Sequence, residues 1–403
     1  MEPAQAQPAP RTARALSFSL FIALALSVLA GAHYYVWLRL IHAPGWSEAA
    51  ARAGGAALVL LFVSLPLTFG LVRNLPREKS RLVALFGFSW LGVLFYLVTT
   101  LAAADLGLFV WEIVARWLGT VPAAGAEERL AFSRTMAGGV ALVAGGAVLL
   151  ALRGGLGRVR LREVEITLAR LPRAMSGTTI VQLSDVHVGP TIGREFVENI
   201  VRQTNALEPD VIAITGDLVD GSVDQLRDQV APLAELRAKY GVYFVTGNHE
   251  YYSGARRWCS ELERLGIKVL RNERVSVGDA TASFDLAGVD DATAHRFGRG
   301  HGANLEAALA GRDPERELVL LAHQPRQIHE AAQAGVGLQL SGHTHGGQLW
   351  PWRYMVRLDQ PVVSGLTRFG ATQIYVSNGT GYWGPPMRLG APPEITRLTL
   401  RAG

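Results

Sequence analysis

Residues 211–220 read Val-Ile-Ala-Ile-Thr-Gly-Asp-Leu-Val-Asp. The apolar run is too short for a helix and does not alternate with polar residues. Such a run fits a strand covered on both faces. Gly216 ends it, and Asp217 stands directly at the strand end. The same grammar recurs at 179–187 (Thr-Ile-Val-Gln-Leu-Ser-Asp-Val-His) and 242–250 (Val-Tyr-Phe-Val-Thr-Gly-Asn-His-Glu). It returns at 318–325 (Leu-Val-Leu-Leu-Ala-His-Gln-Pro) and 338–345 (Leu-Gln-Leu-Ser-Gly-His-Thr-His). Helical spacing lies between these runs, over Glu195–Ala206, Val223–Tyr240, Ala255–Leu265 and Gln327–Ala334. Further β-prone runs occupy Gln373–Ser377 and Ile395–Leu400. Strands alternating with helices predict an α/β domain, and a β-sandwich flanked by helices fits both halves.

The polar residues follow the strands. Asp185-Val-His187, Gly216-Asp217-x-x-Asp220, Gly247-Asn248-His249-Glu250, His323 and Gly342-His343-Thr-His345 all come at strand C-termini, which share one sheet edge. This part of the chain holds eight histidines, and five fall in these positions. With the Asp and Asn residues they form a nitrogen and oxygen donor set without thiolates, suited to Mn, Fe or Zn. Each motif alone is weak. An Asp-x-His reads equally as a turn-capping Asp beside a surface His, and Gly-Asp is a common turn signal. Five such motifs, each behind an apolar strand, point to a metal centre. The lone cysteine, Cys259, excludes an internal disulfide and a cysteine-rich zinc module.

In this order the motifs resemble the calcineurin-like metallophosphoesterases. Gly342-His-Thr-His-Gly-Gly-Gln348, Asn378-Gly-Thr-Gly381 and the stretch from Pro386-Met-Arg-Leu-Gly to Pro393-Glu-Ile395 resemble the YkuE/YaeI-type branch. The resemblance covers nearly all of residues 160–400 and implies a four-layer α-β-β-α sandwich. It implies two divalent or transition metal ions. One would be held by Asp185, His187, Asp217 and His345, the other by Asp217, Asn248, His323 and His343, with Asp217 shared. It also implies hydrolysis of phosphate esters or anhydrides by a metal-activated hydroxide, with His249 as the catalytic non-ligand histidine. Glu250 is expected to orient the His249 imidazole, Asp220 to structure its loop, and Arg388 to reach substrate. The polar loop Asp290–Asn304 is expected to be a solvated loop or a cationic cap over the phosphate. Tyr251-Tyr252 and Tyr382-Trp383 read as a wall of the site or as core.

The first 160 residues differ. Charged residues make up only 18% of the chain, mean hydropathy is +0.19 and the net charge is +5. Residues 1–160 hold 14 Lys and Arg against 7 Asp and Glu, net +7; residues 161–403 hold 25 against 27, net −2. Four uncharged runs, 15–38, 53–72, 82–104 and 135–152, match the roughly 20 residues that cross a bilayer. Residues 1–14 are expected to be disordered, 15–152 to form an all-α transmembrane anchor, 153–177 a linker with the first strand, and 178–403 the catalytic domain. Leu106–Leu118 reads as a separate interfacial helix, and Gly138, Gly139, Gly145 and Gly146 as close-packing positions. Of the ionisable residues, only His33 is expected inside a span. Lys and Arg concentrate on the side that holds the N-terminus, which predicts a bacterial inner-membrane protein with a cytoplasmic catalytic domain. The implied partners are membrane lipids and a phosphorylated, amphiphilic small molecule. UDP-2,3-diacylglucosamine-type pyrophosphate hydrolysis is the specific expectation. The alternative is a membrane-bound sensor or scaffold whose metal-binding domain does not catalyse. The net −2 of the second part disfavours nucleic acid.

Overall fold

The computed structural model describes residues 11–120 and 125–403. Two compact units divide the chain: one of residues 1–76 and 82–148, the other of 77–81 and 149–403.

The first unit is helical: α1 Arg11–Trp37, α2 Glu48–Asn74, α3 Arg77–Trp117 and α4 Ala126–Gly155. Each is long and apolar enough to cross a membrane. Val36, Leu58, Leu65, Leu94, Leu101 and Val140 form their common core. The outward faces stay apolar, as helices that face lipid must.

Three expectations change here. Leu106–Leu118 is not a separate helix, because α3 runs unbroken through it for 41 residues. At 1.5 Å per residue that is about 60 Å, twice a bilayer core. Asp105, the first residue after the uncharged run 82–104, therefore continues the same helix. It accepts a 2.6 Å hydrogen bond from Tyr35 Oη and pairs with Arg39, so its charge is matched. Gly138, Gly139, Gly145 and Gly146 have no described atom near their Cβ positions, so they mediate no close contact among the described residues. Of the stretch expected to be disordered, residues 1–10 lie outside the described residues and 11–14 begin α1.

The second unit opens with the last turns of α4. Gly154 and Gly155 were expected in a linker. They are helical, and their Cβ positions would overlap the Arg388 and Pro386 carbonyls. The elements then run β1 Arg160–Leu168, β2 Thr179–Leu183, α5 Arg194–Asn205, β3 Val211–Ile214, α6 Val223–Val230, β4 Val242–Phe244, α7 Asn248–Ser253, α8 Ala255–Arg264 and β5 Lys268–Val269. Next come β6 Glu273–Gly278, β7 Ser283–Gly288, α9 Leu305–Leu309, β8 Leu318–Leu321, α10 Ile328–Gln333, β9 Leu338–Ser341, α11 Arg353–Val356, β10 Gly365–Phe369, β11 Thr372–Val376 and β12 Glu394–Ala402.

Two mixed six-stranded sheets result, in the orders β1-β12-β2-β3-β4-β5 and β10-β11-β9-β8-β7-β6. Ile180, Val211 and Ala213 of the first meet Phe284, Val319 and Leu340 of the second in one core. The other face of the first sheet packs on α5, α6 and α8 through Val181, Ile212, Ile200, Leu226 and Trp258. The second sheet packs on α9 and α10 through Leu320, Ile374, Leu305 and Ile328. This is the four-layer helix–sheet–sheet–helix arrangement. Strands β5 to β7 were not foreseen. Glu273–Gly278 is half polar and mostly half-buried, and it gains its place by pairing antiparallel with β7.

Trp258 is fully buried, and its Nε1–H donates to Gly221 O at 2.8 Å. It thus fills the α8 layer and holds the turn behind Asp220. Trp258→Ala is expected to destabilise this unit by about 3–5 kcal/mol, as for other buried Trp truncations. Thermal unfolding of the full-length protein in detergent reads this as a lower transition; an unchanged transition would show that the site collapses without cost.

Candidate metal centre

The five polar segments leave β2, β3, β4, β8 and β9, strands that lie side by side within their own sheets. Asp185, His187, Asp217, His343 and His345 all have positive φ, between 50° and 70°. Left-handed backbone costs a non-glycine residue energy and clusters at functional sites, although Asp and His tolerate it better than most. It turns these side chains sharply off the strand ends towards one another. Glycines allow the close approach. A Cβ on Gly247 would overlap Asp217 Oδ1, and one on Gly342 would overlap Ser184 Oγ and Asp185 Oδ2.

Three groups of donors form, one of them joining Asp220 to His187 and His249 and the other two drawn from the expected ligands. Asp185, His187 and His345 offer atoms that lie within 4.8 Å of one another, and so do Asp217, His323 and His343. In the first, the Nε2 atoms of His187 and His345 are 3.0 Å apart, and His345 Nε2 is 3.4 Å from Asp185 Oδ1. In the second, His323 Nε2 stands 3.1 Å from Asp217 Oδ2 without hydrogen-bond geometry. Asn248 Oδ1 is buried and likewise has no hydrogen-bond partner. Buried polar atoms without partners are costly. Converging imidazole nitrogens, carboxylates and an orphaned amide oxygen suit cations.

The surroundings fix the rings. His323 Nδ1 is 2.8 Å from Thr215 O, an N–H donation that leaves Nε2 free to act as a ligand. Ser184 Oγ donates to Asp185 Oδ2 at 2.5 Å, and the His343 N–H donates to Asp185 Oδ1 at 2.9 Å. Asp220 Oδ1 accepts from both His187 Nδ1 (3.0 Å) and His249 Nδ1 (2.6 Å). His249 Nε2 then faces inward, 3.9 Å from Asp217 Oδ2.

Electrostatics follow the geometry. Burial opposes ionisation of Asp217, but the positive charges of His323 and His249 outweigh it and hold the carboxyl well below its usual range. Burial likewise opposes charge on His249, yet Asp217 and Asp220 raise it to about 9. Burial, then the His187 charge, lowers His345 well below the usual histidine value, which leaves it a neutral donor.

Three expected roles differ. Glu250 does not orient His249. Its Oε2 accepts from the Gly247 and Asp217 N–H groups at 2.6 and 3.0 Å, and Oε1 from the Leu218 N–H at 2.8 Å, so it braces the backbone of two loops. Asp220 has the orienting geometry instead, which its place three residues after Asp217 already offered. Arg388 does not reach outward. It is only 2% exposed, and its guanidinium donates to the carbonyls of Gly381, Asn378 and Ala391, with Nη2 3.2 Å from His345 Nδ1. The sequence reading also missed Ser184 and Thr215, which no motif spacing marks.

The aromatic pairs split. Tyr251 and Tyr382 are buried, whereas Tyr252 and Trp383 are exposed with rings 5.2 and 5.7 Å from His249. From the loop at 290–304, Phe297 packs on Tyr252. Its neighbour Arg299 uses its carbonyl to accept from Arg256.

Asp220→Asn removes the negative charge from the oxygen that serves two rings. A second sphere of this kind typically controls 10–100-fold in metal affinity or activity. A loss of that size in metal affinity is expected, read by competition with a chromogenic chelator; unchanged affinity would reduce Asp220 to a loop-building residue.

Residues 178–347 match the family model for calcineurin-like phosphoesterase. The chain is 36% identical over 410 residues to a transmembrane protein with metallophosphoesterase domain from Danio rerio, covering 96% of this chain and 91% of that one. It is 46% identical over 250 residues to the protein of that name from Bos taurus, covering 59% of this chain and 56% of that one. It thus spans little over half the length of the bovine relative. It is 31% identical over 249 residues to the metallophosphoesterase YkuE of Bacillus subtilis, covering 60% of this chain and 85% of that one. With the donor groups at the strand ends and four apolar helices ahead of them, the chain belongs to the calcineurin-like metallophosphoesterases.

Proposed function

We propose that this protein is a membrane-anchored two-metal phosphoesterase that cleaves a P–O bond of an amphiphilic phosphate. The observation that carries it is the pair of donor triads at one set of strand ends, with the inward-facing His249 beside them. Asp185, His187 and His345 would hold one ion, and Asn248, His323 and His343 the other, with Asp217 shared. When bound, the two ions supply Lewis-acid stabilisation of phosphoryl charge and lower the pKa of water towards 7. The chain's own residues do the rest. His249, held by Asp220 through Nδ1, presents Nε2 to the leaving oxygen as a proton donor. Glu250 keeps the Asp217 and Gly247 loops in register. Tyr252, Phe297 and Trp383 give the mouth an apolar rim that favours a substrate with an apolar part.

The anchor supports a substrate that resides in the bilayer, and the excess Lys and Arg supports a cytoplasmic catalytic domain facing anionic lipid. A nucleotide-linked lipid of the UDP-2,3-diacylglucosamine class fits both. Full-length protein in detergent is expected to carry about two metal ions and, with Mn²⁺, to cleave a chromogenic phosphodiester and one member of a panel of envelope lipids. Turnover that survives thorough chelation would reject the mechanism. A C-terminal reporter active only outside the cytoplasm would reverse the orientation.

A further inference from the structure

The loop that carries His343 and His345 runs directly into Leu349-Trp-Pro-Trp-Arg-Tyr-Met-Val-Arg-Leu358. Here the chain does what a soluble surface avoids. Trp350, Trp352, Tyr354, Met355 and Leu358 are each more than half exposed, within nine residues. The segment is nonetheless built into the fold. The Trp350 N–H donates to Leu389 O at 3.0 Å, and Leu349 bridges Leu389. One residue earlier, Gln348 Nε2 donates to Trp383 O at 2.9 Å while its Oε1 accepts the Trp383 N–H at 3.1 Å. The exposed segment is therefore coupled to the aromatic beside His249. Arg353 and the exposed Arg357 add positive charge. The carboxylate next along the chain, Asp359, is already paired with Arg326.

We propose that Trp350–Leu358 docks the α/β unit onto the headgroup layer of an anionic bilayer. Trp and Tyr partition to membrane interfaces because their rings are apolar and their N–H or O–H groups remain hydrated. Met355 and Leu358 would enter the upper acyl region, and the two Arg would meet lipid phosphates. Charge and the rest of the chain choose this occupant: the patch is cationic and aromatic, and a chain with four spanning helices keeps a bilayer within reach. Seated in this way, the mouth beside His249 would lie at headgroup depth. That consequence rests on the function proposed above; the docking itself does not.

The test uses full-length protein in nanodiscs with a fluorophore on Met355→Cys, Cys259 being buried. The exposed Glu315→Cys serves as the control position. Doxyl-labelled lipids are expected to quench the Met355 label several-fold more than the Glu315 label, and more in phosphatidylglycerol discs than in phosphatidylcholine discs. A Tyr354→Cys label should repeat the result if Met355→Cys folds poorly. Arg357→Gln is expected to shift the docked-to-free ratio about fivefold, the effect of one basic residue at an anionic surface. Equal quenching at both positions, or no dependence on lipid charge, overturns the proposal and leaves a protein partner as the occupant. Met355→Glu separates the two readings: it should lower turnover of a bilayer-held diester and leave a soluble diester unchanged. If neither diester is cleaved, the proposed function fails while the quenching still decides the docking.

Discussion

Replacement of Asp217 by Asn is expected to lower turnover by about 10³–10⁴-fold, the rate equivalent of the several kcal/mol that metal ions contribute to phosphoryl transfer. The reason lies in what its carboxylate touches. Oδ2 stands 3.1 Å from His323 Nε2 and 3.9 Å from His249 Nε2, and Oδ1 accepts the His249 N–H at 2.8 Å. An amide retains the shape and the oxygen but removes the charge that two cations would share, and it points an NH₂ group at one of them. Metal analysis of the purified variant should show less than the full complement. A variant with two bound ions and ordinary turnover would refute the shared role of Asp217.

His249→Ala is expected to keep its metal and lose about 10²–10⁴-fold in rate, the usual contribution of a positioned general acid. The pH profile gives an independent reading. The acid works while protonated, and Asp217 and Asp220 together raise His249 to about 9 against the opposing effect of burial. The rate should therefore be sustained at neutral pH and fall as pH rises through the pKa of this group. Two bound dications would offset the pull of Asp217, so the falling limb should sit below 9, towards the ordinary histidine value of about 6.5. In His249→Ala that limb should vanish. If the variant keeps the same alkaline limb, another group supplies the proton.

How legible was this protein? Strands β2, β3, β4, β8 and β9 announced themselves because burial on both faces demands continuous apolar runs such as Val211-Ile-Ala-Ile214. The residues after them were legible for the same reason, since a strand end delivers its next side chains to the sheet edge. Strands β6 and β7 were not, because polar residues interrupt their apolar ones and they take shape by pairing, β6 with β7 and β7 also with β8. The long helix α3 was read as two because Asp105 interrupts its apolar run. The partners that make Asp105 tolerable, Tyr35 and Arg39, lie more than sixty residues away in sequence.

Sequence by itself determined the donor types, their order on the strands and the apolar length of the four helices, since each is written in local residue choice. Only the tertiary structure decided which polar residue serves which. Asp220 and Glu250 both follow the motif glycines, and the sequence pointed to Glu250 as the residue that holds His249. The fold turns Glu250 onto three backbone N–H groups and leaves Asp220 to two imidazoles. It likewise buries Arg388 among carbonyls and turns Trp383 out beside His249. A buried hydrogen bond is directional over a few tenths of an ångström, and that precision is set by packing between distant segments.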